Sequence, residues 1–106
     1  MKKLTTDIIE NIEGLFPDVR IDIEENTDEI VIKFANGNSP TGVKVIISGD
    51  DMFNVCLWRY VKDTGSISTG EIVDMHYGSP EVRCRMNASE AGVFIAAKVV
   101  YFLSFC

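Results

Sequence analysis

Histidine occurs once in this chain, at position 76, and cysteine three times, at positions 56, 84 and 106. The cysteines form no CxxC pair and no Cys/His spacing. That argues against a zinc site of the usual kind, and the odd number of thiols argues against a disulfide framework. Cys56 and Cys84 read as small core hydrophobes in a reducing cytoplasm. Long apolar runs are also missing. The longest, residues 91–106, falls short of the ~20 residues a membrane span needs and carries Lys98. Lys2 and Lys3 are followed by no apolar run, so no signal peptide is expected. No GxGxxG or P-loop spacing is present to cradle phosphates. No acidic segment has the Asp/Asn ladder and terminal Glu of a calcium loop. No basic stripe exists, which disfavours direct nucleic-acid binding. Neither a cofactor nor a catalytic group is expected from these residues.

What the sequence does have is lopsided charge. Residues 1–51 carry eleven acids against five bases, and residues 52–106 carry five of each. The whole net charge of −6 therefore lies in the first half. Such a field repels nucleic acid and anionic membrane and attracts basic partners. The acids cluster at Asp22, Glu24, Glu25, Asp28 and Glu29, and again at Asp50 and Asp51. Each cluster fits a solvated hairpin tip, and together they form a candidate surface for a basic protein.

The 106 residues suffice for one domain, 1–106, with a single core. Leu4, Ile8, Ile12 and Leu15 repeat at helical spacing, with Thr5 or Thr6 as the expected cap and Gly14 and Pro17 as the stop. Val19, Ile21 and Ile23 then alternate with charged residues, as do Ile30, Ile32 and Phe34 across a polar turn. Residues 36–40 are a loop by their Asn, Gly and Pro content. Val43, Val45 and Ile47 give a third strand, and residues 52–61 a fourth. Residues 66–77 suggest a fifth. Gly78-Ser79-Pro80 is expected to turn the chain into a sixth, in which Val82, Cys84 and Met86 share a face. Asn87 and Glu90 form a capping-box pair for a final helix. Between 93 and 106 that helix is apolar nearly all round, so it must be covered on more than one side. The sheet covers one side, and the first helix or a second subunit the other. The expected fold is α+β: an antiparallel meander of four to six strands, with an N-terminal and a C-terminal helix on one face.

Asp63-Thr64-Gly65-Ser66 resembles the catalytic signature of aspartic proteases. The resemblance covers four residues and implies Asp63 as half of an aspartate dyad shared between two subunits. That family places apolar residues before the aspartate, so that a buried dyad shares one proton. Lys62 stands there instead and would hold Asp63 ionised. The family is also almost all-β, whereas this chain opens with a helical pattern. A hairpin turn asks for the same four residue types, and the tetrapeptide is read as a turn.

Two further groups could carry function. His76 could pair with Cys84 and be oriented by Asp74, although triad partners meet only in the fold. On the fourth strand, Met52, Asn54, Cys56, Trp58 and Tyr60 share one face. If the helices cover the other, Trp58 and Tyr60 stand open beside Arg59, and these residue types dominate interface hot spots. The function expected is a non-enzymatic acidic interaction domain, of the inhibitor, immunity or viral counter-defence kind. It would block a basic, nucleic-acid-handling protein. The alternative is a small-molecule-binding or enzymatic domain with a pocket near His76 and Tyr77.

Overall fold

A computed structural model describes residues 2–62 and 74–105. The element order is α1 (Lys2–Leu15), β1 (Val19–Glu25), β2 (Glu29–Asn36), β3 (Thr41–Ser48), β4 (Phe53–Lys62), β5 (Asp74–Met86) and α2 (Ala88–Leu103). The strands form one antiparallel sheet in the order β1-β2-β3-β4-β5. This is the α+β meander with terminal helices that the apolar alternation implied. The stretch 63–73, with the Asp63-Thr64-Gly65-Ser66 tetrapeptide and most of the expected fifth strand, lies outside the described residues.

Both helices pack on one face of the sheet. That face presents Ile30, Ile32 and Phe34 from β2, Val43, Val45 and Ile47 from β3, and Phe53, Val55 and Leu57 from β4, all buried. Against them α2 lays Ala91, Ile95, Val99 and Leu103, a stripe repeating every four residues. Helix α1 adds Leu4, Ile8 and Ile12 from the side. Each fully buried side chain of this size contributes about 1.5–3 kcal/mol. In a five-strand meander β1 and β5 run the same way. Each helix reverses direction against the strand it adjoins, so α1 and α2 lie parallel.

Four local expectations need correction. Helix α1 begins at Lys2, so Thr5 and Thr6 lie inside it, and Thr5 is buried rather than capping. Gly78-Ser79-Pro80 does not separate two strands. It lies within β5, where the register slips between Leu57↔Glu81 and Arg59↔Tyr77, so three residues bulge opposite Trp58. A second slip sets Cys84 and Arg85 opposite Asn54. There Arg85 takes φ 57°, and its N–H donates to Asn54 Oδ1 at 3.1 Å. This slip breaks the alternation expected of Val82, Cys84 and Met86: Met86 is buried, whereas Val82 and Cys84 are exposed. Cys84 is thus no core hydrophobe, and Cys56 is half-buried. The capping box of α2 does form, with Asn87 Oδ1 accepting from the Glu90 N–H at 2.8 Å.

Candidate interaction face

The sheet face away from the helices is uncovered by any described element. Its residues fall into rows set by the strand register. Asp22, Lys33, Lys44 and Trp58 make a central row. Toward the acidic turns, Glu24, Val31, Ile46, Cys56 and Val82 make the next. On the other side lie Arg20 and Ala35, then Gly42, Tyr60 and His76.

Gly42 shapes that last row. A Cβ there would come within 2.4 Å of the Phe34 carbonyl and 2.7 Å of the Tyr60 hydroxyl. The missing side chain lets the Tyr60 ring lie flat on β3, as aromatics do over strand glycines. Tyr60 is therefore only 7% exposed. Lys33 Nζ sits 5.7 Å from its ring centroid, within cation–π reach. Trp58 is half-buried and packs on His76, ring centroids 5.0 Å apart, while Lys44 Nζ lies 3.5 Å from His76 Nε2. Arg20 ties down the β2–β3 loop, donating to the Gly37 carbonyl and to the Ser39 carbonyl at 2.8 Å. Between Arg20, Asp22, Lys33, Ser39 and Tyr60 lies a cavity of about 80 Å³.

The sequence-selected residues divide among several places. Trp58 and Tyr60 share this face. Arg59 does not: strand parity turns it to the helix side, where its guanidinium stacks 5.4 Å from the Phe102 ring centroid. Asp22 and Glu24 lie on the open face along the edge strand β1, and Glu29 shares it opposite Ser48. Glu25 and Asp28 are exposed around the β1–β2 turn, and Asp50 and Asp51 are exposed in the β3–β4 turn. In a meander these two turns project from the same end of the sheet, two strand spacings or ~10 Å apart. The acids gathered at that end are separated from Trp58 and Tyr60 by the row of Val31, Ile46 and Cys56, while Lys44 stands directly beside Trp58.

His76 and Cys84 lie eight residues apart along β5. At ~3.3 Å per residue that is some 20 Å even with the bulge, so this pair cannot share a proton. Among the described residues no group of three or more His, Cys, Asp or Glu could hold a metal ion. No helix of the described residues is long and apolar enough to cross a membrane. The lysine pair at the centre of the face, Lys33 and Lys44, was not picked out from sequence. Strand parity could have paired the two lysines with Trp58, since all three alternate with core residues.

Compared with known proteins, the chain matches no family model, no curated protein and no solved structure.

Proposed function

We propose that this chain is a non-enzymatic, acidic protein-interaction domain, an inhibitor or accessory factor that docks on a protein with a basic surface. The observation that supports the reading is the gathering of acids distant in sequence. Glu24, Glu25, Asp28 and Glu29 meet Asp50 and Asp51 at one end of the sheet because the meander projects both turns there. Charges fixed on adjacent hairpins act as a unit and steer a basic partner more strongly than scattered charges. Lys33 and Lys44 on the middle of the face would repel that partner, so the acidic end, with β1 as its edge, is the docking region. Trp58 serves at its margin.

A small-ligand or enzymatic site near His76 and Tyr77 has weaker support. What the structure places around His76 is the Trp58 ring, 5.0 Å away between centroids, and Lys44, whose Nζ lies 3.5 Å from Nε2.

The test is capture from the native host by the tagged chain, against a variant with Glu24, Glu25, Asp28 and Glu29 changed to Lys. A protein held by the wild type should be lost by the variant and on raising salt. Once it is identified, the reversal should slow association about tenfold or more and change dissociation little. Binding that ignores both salt and the reversal would reduce the acidic end to a solvated surface and end this reading.

A further inference from the structure

Helix α2 is apolar on faces that neither the sheet nor α1 reaches. Val93 is 70% exposed, Tyr101 58% and Phe105 76%, and Leu15 at the end of α1 is 63% exposed. Val93, Ala97 and Tyr101 succeed one another at four-residue steps, which makes a continuous apolar ridge along the outside of α2. Tyr101 is held edge-on to Phe102 and Phe105, with centroids 5.4 and 5.0 Å away. Beside the ridge runs a groove of about 570 Å³ between the parallel helices. Ile8, Ile12 and Leu15 form one wall, and Gly92, Ala96 and Val100 the other, with Val93 and Ala97 of the ridge forming its rim.

We infer that the α1–α2 layer is a homodimer interface, in which the ridge of each copy fills the groove of the other. This inference does not depend on the docking of a basic partner at the acidic end. Four features select a second copy as the occupant. Asp7 alone among the groove-lining residues is ionisable, so the groove itself offers apolar contact to a like apolar surface rather than a charged site. Ridge and groove lie side by side on one helix, so a two-fold axis between them makes the surface complementary to itself, as an isologous contact requires. The small residues Gly92 and Ala96 in the groove let a facing helix approach closely. Finally, the area suffices. A 16-residue helix is ~24 Å long and two helices side by side span ~20 Å. That footprint of ~500 Å² per copy gives ~1,000 Å² in total, the lower bound for a specific interface.

The test is sedimentation equilibrium of the purified full chain across a concentration series. Wild type should move from the 11.8 kDa monomer to twice that mass. Val93→Lys and Ala97→Lys should each raise the dimer dissociation constant at least tenfold. Both positions are exposed in the monomer and lysine is a good helix former, so neither change threatens the fold. Circular dichroism reports whether it is retained. Glu24→Lys, on the opposite face, should leave dimerisation unchanged apart from its charge. A wild type that stays monomeric at about 100 µM, or dimers indifferent to both ridge variants, would overturn the inference. A wild type that stays monomeric yet captures an apolar helix from another protein would assign the groove to that partner instead.

Discussion

At the scale of residues, the open face depends most on Gly42. Any side chain there would meet the Phe34 carbonyl and the Tyr60 ring, and the carbonyl belongs to a buried strand that cannot retreat. Gly42→Ala should therefore destabilise the domain by about 1–3 kcal/mol, as overpacking does in cores. It should also lift Tyr60 off β3. Urea titration gives the first effect, and tyrosine exposure to solvent quenchers the second. A variant as stable as wild type would show that Tyr60 does not lie on this glycine. Gly49 answers to a different demand. Its φ of +103° and the Met52 carbonyl 2.2 Å from a would-be Cβ leave room for glycine alone in the β3–β4 turn. The Lys98–Glu81 pair at 2.9 Å joins α2 to β5, but both side chains are about one-third exposed. Lys98→Ala should cost less than about 1 kcal/mol, since solvent screens such pairs.

At the scale of elements, the sequence is legible wherever a local rule and the tertiary fold agree. Strands β1 to β4 follow from alternation because every second residue is apolar and shares the parity that meets the helices. The capping box of α2 follows from Asn87 and Glu90 alone. Asn87→Ala should cost about 1 kcal/mol in thermal or urea unfolding, because it leaves the Glu90 N–H without its side-chain acceptor. No loss of stability would mean that water replaces the cap. Legibility fails where long-range pairing overrides local signals. Gly78-Ser79-Pro80 has turn composition, yet β4 continues past it and holds the segment in the sheet as a bulge opposite Trp58. The second slip, at Cys84 and Arg85, shifts the side-chain parity, so that Met86 and not Cys84 reaches the core. No local pattern announces a bulge, because its cause is the partner strand. The same limit hid half of the candidate face. That Trp58 alternates with core residues was readable. That Arg59 leaves it for Phe102, and that Lys33, Lys44 and His76 join it, required strand register.

At the scale of the whole molecule, the two layers present surfaces of opposite character. The sheet carries charge, with its acids along the edge strand and at one end. Acids on an edge strand also discourage further strands from pairing with it, so Asp22 and Glu24 have a protective role whatever else they do. The helix layer carries the uncovered apolar surface of α2, beside the exposed charges Lys3, Asp7, Glu10 and Glu13 of α1. This division gives the two proposed associations opposite dependences on salt. Docking of a basic partner draws on attraction between exposed charges, and salt with a screening length of ~8 Å at physiological strength weakens it. Dimerisation through α1 and α2 joins two copies that each carry −6. Their repulsion opposes association, and the same screening relieves it. Raising sodium chloride from about 20 to 300 mM should therefore strengthen the dimer while weakening capture of the partner. Sedimentation and binding kinetics over one salt series measure both. If the dimer instead dissociates as salt rises, opposite charges hold it together, and the apolar ridge of Val93, Ala97 and Tyr101 is not its seam.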